Sequence, residues 1–413
     1  MGSELRDCVS GICMKEEMRR AVIEHVRERT GNTAGGDGGA ADDNRKKGQE
    51  KQRIRGWKRT AAAAALLVAL IGAAAVPVRA LVNSIVQERM EQMPQAEKET
   101  YAETLMEQKV AADGFSRAYT QEEERRYREM GEKYQEGTFP EKAVIQVETQ
   151  EEAKAYEFCY LISTGTFCLP ERELTDEELL QIIDFTVKRE YAYTEYYEAE
   201  HAAEIAEEKE KEQEKIAANT EDGGIAEKQA EEIAVQKLSA IYGVDTEGFE
   251  MNSYYDEEIY GGRVAYCVNW TNIITHQYYY FFIDAKDGHI LRASHSGADL
   301  SDAPFAGSEE IEAQIPVLSE KARDFMREQI GETYDEIYVS YLLYPDKNAG
   351  TQVGFYLAKE DGSAYEIVYL WDGTLIEIAE KKDISGKEDG KPVKLWDGES
   401  YTEVKEVFRR LEG

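Results

Sequence analysis

Cysteine, histidine, tryptophan and proline are all scarce in this chain, at five, five, four and eight of 413 residues. Five cysteines are too few for a disulfide-stapled scaffold, so the fold must rest on apolar cores. Cys8 and Cys13 are spaced C-x4-C without a second ligand pair, which argues for free thiols instead of a zinc knuckle. The histidines His25, His201, His276, His289 and His295 are scattered, and no HExxH, P-loop or GxSxG run is present. His289 and His295 lie near Asp284 and Asp287, but residues six apart on an extended strand are some 20 Å apart, too far to share one ion. No catalytic, cofactor or metal set is therefore expected, and the chain does not read as an enzyme.

Positive charge is also missing over most of the length. Residues 1–59 hold 14 Lys/Arg against 10 Asp/Glu, out of 49 and 83 in all, which leaves 35 against 73 for the remainder. A field that negative repels phosphates and anionic headgroups, so nucleic acid is excluded as a partner of the acidic part and a basic partner suits it better.

The sign changes at Thr60 to Val78, an uncharged run bracketed by Arg59 and Arg79. At about 1.5 Å per helical residue it reaches most of a hydrocarbon core of roughly 30 Å, and Ala80 to Val82 finish the crossing. Arg45, Lys46, Lys47, Lys51, Arg53, Arg55, Lys58 and Arg59, opposed only by Glu50, form a basic flank that stays cytoplasmic. The expectation is a single-pass membrane protein, with residues 60–82 as the transmembrane helix, the N-terminus in the cytoplasm and the C-terminal portion extracytoplasmic. A signal peptide would have a much shorter leading region, and a buried soluble helix would leave the basic flank unexplained.

Within residues 1–59, Met18, Val22 and Val26 recur at helical spacing in Met14 to Arg29, ahead of a glycine-rich linker. That stripe either docks a cytoplasmic protein or lies on the membrane. Residues 83–136 are rich in Glu, Gln, Lys and Arg, with Thr120 and Glu123 forming a capping box, and read as a helical stalk. Residues 137–222 read as a hairpin plus a long charged helix. The hairpin is centred on Ser163 to Thr166 and sets Cys159 opposite Cys168, as a candidate disulfide or as two free thiols; the helix starts at a second capping box, Thr175 and Glu178.

From residue 223 to 297 the pattern is one amphipathic helix, Ile225 to Tyr242, closed by Gly243, then three strand-like runs and a tight turn at Asp287-Gly288 into a last strand. The helix carries Glu231 to Ala234 (EEIA), the central strand Tyr266-Cys267-Val268, and the closing strands the run Ile283 to Leu291 (IDAKDGHIL). In that order these features resemble a PepSY domain, a small module of bacterial envelope proteins and of peptidase propeptides. Asp287 stands where that family usually has Thr. Residues 310–381 repeat the plan more faintly, as a helix and then strands at 336–344, 351–359, 364–370 and 374–379. Residues 382–413 read as a tail with a terminal helix after Ser400, where Glu403 completes a capping box.

The expected fold class is α+β: one transmembrane helix, a helical stalk, then helix-plus-antiparallel-sheet domains. Twenty-six tyrosines cluster at Tyr254-Tyr255 and Tyr278 to Tyr280 among other places. Tyrosine offers contact area at low rotamer cost, so Tyr254, Tyr255, Tyr278, Tyr279 and Tyr280 are the candidate ligand surface, against half-buried sheet positions as the plainer reading. The resemblance implies an extracytoplasmic binding or regulatory protein of the cell membrane that restrains a peptidase or senses the envelope, with an envelope protein or peptide as ligand. The alternative is an anti-sigma-like transmembrane signalling protein acting through residues 14–29, and an envelope hydrolase is a third, weaker reading.

Overall fold

A computed structural model describes residues 84–106, 114–244, 246, 248–260, 263–297, 300, 305–344, 350–396 and 401–412. The tail at 1–59, its helix at 14–29 and the span at 60–82 lie outside the described residues. No described helix is long and apolar enough to cross a membrane. The described part is α+β and divides into two compact units, the first running from Ser84 to Ile205 and the second from Ala206 to Gly413.

The first unit is built on α5 (Asp176–Glu200), against which α2 (Gln95–Met106) and α3 (Gln121–Gln135) pack, with α1 (Ser84–Glu91) on α3. Residues 84–106 and 114–135 are thus a folded part of this unit and not a free stalk. Their net polarity hides a few large buried residues, Met90, Tyr101, Met130 and Tyr134, of which Tyr101 packs edge-on to Phe185 and Tyr134 bonds Asp184 on α5. The capping boxes at Thr120 and Thr175 are both formed. The α3 box is buried, since Glu123 is wholly shielded and accepts from Arg117, from the Thr120 N–H and from the Leu174 N–H. Burial pushes this carboxyl up, but those donors outweigh it and bring it down to about 2. Asp184 is likewise buried and takes Arg89 at 2.9 Å and the Tyr134 hydroxyl at 2.9 Å. A small sheet completes the unit, in the order β1 (Gly114–Phe115), β4 (Thr166–Cys168), β3 (Cys159–Leu161), β2 (Gln146–Val147), with α4 (Gln150–Ala153) beside it.

The second unit starts within α6 (Ala202–Glu221) and carries two copies of one plan. The first copy is α7 (Glu227–Tyr242) followed by the meander β5 (Glu250–Tyr260), β6 (Arg263–Asn272), β7 (Gln277–Asp284) and β8 (Ile290–Gly297). Gly243 ends α7 at φ 67°, a left-handed turn that glycine takes without strain. The second copy is α8 (Ser308–Phe325), prolonged by a π-helical turn at Met326–Ile330, then β9 (Glu336–Leu343), β10 (Gln352–Ala358), β11 (Ala364–Leu370) and β12 (Leu375–Lys381).

Both meanders join in one ten-stranded sheet of order β13-β14-β9-β10-β11-β12-β8-β7-β6-β5, with β13 at Pro392–Trp396 and β14 at Tyr401–Arg410. The copies meet through their last strands, where β12 runs antiparallel to β8 in the register Ile378↔Ala293. That is the order a two-fold axis perpendicular to the sheet would produce. One continuous core lies under both helices and includes Ala234, Leu238, Trp270 and Phe281 from the first copy with Ile315, Leu318, Phe355 and Ile367 from the second.

The terminal helix expected after Ser400 is instead strand β14, paired with β9 in the register Lys405↔Leu343 to Arg410↔Tyr338. Val404, Glu406 and Phe408 are buried while Glu403 and Lys405 are exposed, a period of two that belongs to a strand. The sheet edge of β9 supplies a partner that the local capping signal cannot outweigh.

Candidate functional site

Because side chains alternate across a strand, each meander has a face toward α7 and α8 and an outer face. Tyr279 points to the core, where its ring lies 5.3 Å from that of Tyr242 and 4.4 Å from that of His295. Tyr278 and Tyr280 point the other way yet are only 5% and 7% exposed. Tyr255 packs edge-on to Tyr266 in the core and its N–H bonds Glu212, and Tyr254 is half-buried. Tyr278, Tyr279 and Tyr280 are thus buried sheet positions, while Tyr254 and Tyr255 keep partial exposure.

Cys159 and Cys168 face one another in the register expected for the hairpin, and both are free thiols. Burial, then the neighbouring Cys168, push the Cys159 thiol up to about 12, so it stays protonated. His289 and His295 do not converge: the first meets the Tyr365 hydroxyl, the second stacks on Tyr279. Around His289, Arg263 bridges Asp284 and Glu380, and Lys359 pairs Glu332, a network that ties the two copies together. Among the described residues no group of His, Cys, Asp and Glu side chains is arranged to hold a metal ion.

A cleft open to solvent lies on the outer face of the second copy. There Gly354, in the middle of β10, leaves a gap between Ser340 on β9 and Val368 on β11. A cleft of about 380 Å³ stands over that gap, walled by Tyr356, Glu366, Glu406 and Lys387 among others. Its polar groups are paired. The Tyr356 hydroxyl donates to Glu366, and burial, then the Glu366 charge, raise that phenol so that it remains a donor. Glu366 also meets Lys381 at 2.7 Å, on the neighbouring strand. Glu406 accepts from Ser340 Oγ at 2.8 Å and pairs with Lys387, whose Nζ stands 5.0 Å from the centre of the Tyr356 ring.

Lys387 comes from the segment 382–391, which is laid across β14. Gly390 N–H bonds the Glu406 carbonyl, Glu406 N–H the Lys391 carbonyl, and Phe408 N–H the Asp389 carboxylate. Below, Tyr356 rests on Phe408, which stacks on Tyr338 at 5.1 Å. An aromatic wall, two well-shielded carboxylates and a hydroxyl make a site suited to a cation.

Sequence reasoning missed this cleft. One signal was present: Gly354 sits inside the strand-like run Gln352–Ala358, as happens where a strand is bulged or closely approached. Glu406 was hidden by the helical reading of the residues after Ser400, and Lys387 lies in a stretch of the tail to which no element was assigned. No known family model, curated protein or solved structure matches the chain.

Proposed function

We propose that this protein is a membrane-anchored extracytoplasmic binding and regulatory protein of the PepSY type, held by residues 60–82, with an envelope protein or peptide as its ligand. The observation that carries the reading is the repeated helix-on-meander plan, doubled into one sheet with a solvent-open cleft on the outer face of its second copy. A rigid sheet supports a recognition site well, because its strands fix the side chains around the gap. The marked negative charge of the part after residue 59 favours a basic partner.

Topology and binding are tested together in a bacterium expressing the full chain. A photo-crosslinking residue replaces the exposed Gln352 at the cleft, and a second strain carries it at Lys228, exposed on α7. The expected result is an adduct with an extracytoplasmic protein or peptide from position 352 and not from 228. Adducts only with cytoplasmic proteins, or equal labelling from both positions, would overturn the reading.

A further inference from the structure

We infer that the cleft is a subsite for a lysine or arginine side chain of a basic peptide, and that Lys387 occupies it in cis until that side chain displaces it. The inference rests on the binding role proposed above and names the chemistry of its ligand.

Three observations on the same site carry it. First, the recognition groups are those that suit an ammonium or guanidinium. The Tyr356 ring is 2% exposed and turns its face to a cation, and Glu406, at 7%, offers a carboxylate fixed by Ser340. Second, the cation now bound there is the replaceable member. Tyr356, Glu366 and Glu406 stand on strands of the sheet, whereas Lys387 reaches in from the 382–391 segment on a four-carbon stem and its side chain is 32% exposed. Third, the cleft is larger than Lys387 needs. Its lining extends past Gly354 to Leu342, Tyr344 and Gln352, room for the residues flanking a basic side chain.

Displacement conserves charge at the site, because one cation leaves Glu406 as another arrives. A lysine tethered beside its own carboxylate competes at high effective concentration, so it weakens the apparent affinity for an incoming cation by the fraction of time the subsite is vacant. Such a competitor also rejects neutral and acidic peptides, which offer nothing to replace it.

The test measures binding of fluorescein-labelled tetralysine and tetraglutamate peptides to the full-length chain in neutral detergent, at about 0.15 M salt to screen the general field. Lys387→Ala is expected to tighten tetralysine roughly tenfold if the subsite is vacant about a tenth of the time. Lys228→Ala, the same charge change at an exposed distant site, should leave it within about twofold. Adding Glu406→Gln to Lys387→Ala should bring tetralysine binding below that of the unmodified chain. Gly354→Val, which fills the floor, should do the same should the Glu406 variant fail to fold, with circular dichroism reporting the fold.

The inference is overturned if Lys387→Ala leaves tetralysine binding unchanged or weakens it, if Lys228→Ala strengthens it equally, or if tetraglutamate binds better than tetralysine. An envelope adduct at position 352 together with indifference to tetralysine would leave the binding role standing and remove the cation subsite. A tetralysine response without such an adduct would keep the subsite and remove the envelope-partner reading.

Discussion

The two copies of the helix-on-meander plan share a core and differ on the face that the core leaves alone. On the outer face of the first, Cys267 from β6 and the bulky Tyr278, Tyr280 and Phe282 from β7 are buried. On the same face of the second, Ser340, Gly354, Glu366 and Glu406 surround open space. The inner positions match in kind, with Tyr266, Val268 and Trp270 in β6 against Val353, Phe355 and Leu357 in β10. Burial under α7 and α8 dictates apolar residues wherever the plan is repeated, while the outer face is free to specialise. A binding role is therefore more readily placed on the second copy than on the first.

The largest effects should come from breaking what the copies share. Trp270 and Phe355 are each about 1% exposed or less, and cutting either to alanine should cost about 3–5 kcal/mol through lost burial and the cavity left behind. Because the core is continuous, Trp270→Ala should speed amide exchange in β10 as much as in β6, and Phe355→Ala should do the reverse equally. Hydrogen exchange read by mass spectrometry, strand by strand, checks this. Faster exchange confined to the mutated copy would show two independent modules and dissolve the shared core.

The first unit sharpens the comparison, since two buried carboxylates, Glu123 and Asp184, tie its segments together. Glu123 is held down to about 2 from an ordinary value of 4.5. A carboxyl lowered in the folded state contributes stability that is complete above about pH 4.5 and lost as pH falls toward 2. The difference corresponds to roughly 3 kcal/mol. Glu123→Gln should thus destabilise residues 84–205 by up to that amount at neutral pH and have little effect near pH 2. Amide exchange in α3 and α5, followed against pH in both proteins, should converge in acid. A gap that stays constant with pH would assign the effect to packing and not to charge.

How much of this was legible depends on whether the signal was local. The strands β9 to β12 followed from alternation, and the turns between them close on Gly362 and Gly373, which take φ of 87° and 95°. The register Cys159↔Cys168 followed from the centre of the hairpin. What failed depended on distant partners. Strand β14 exists because β9 has a free edge, and α2 and α3 fold onto α5 through residues such as Tyr101 and Tyr134, neither of which a window of sequence contains. The burial of Tyr278 and Tyr280 was not legible for a related reason: a tyrosine-rich strand has the same composition whether its outer face is covered or open. The cleft needed three separated segments, β9 to β11, 382–391 and β14, to be placed together before it existed.

The smallest expected effect on stability tests why Gly354 is there. Its φ is not in the left-handed region, so no backbone demand requires glycine. An added Cβ would stand 3.5 Å from a Glu366 oxygen and 3.8 Å from the Tyr356 ring, ordinary contacts that call for no movement. Glycine inside a strand costs about 0.5–1 kcal/mol relative to alanine through the freedom it loses on folding. Gly354→Ala should therefore leave stability unchanged or raise it by up to that amount, while the new methyl group narrows the cleft floor and weakens tetralysine binding. Thermal melting and peptide titration of the same preparation separate the two effects. A loss of stability would mean that the sheet itself needs the glycine. A gain in stability with weaker binding would mean that the strand gives up some stability to keep the cleft open, which is the signature expected of a site.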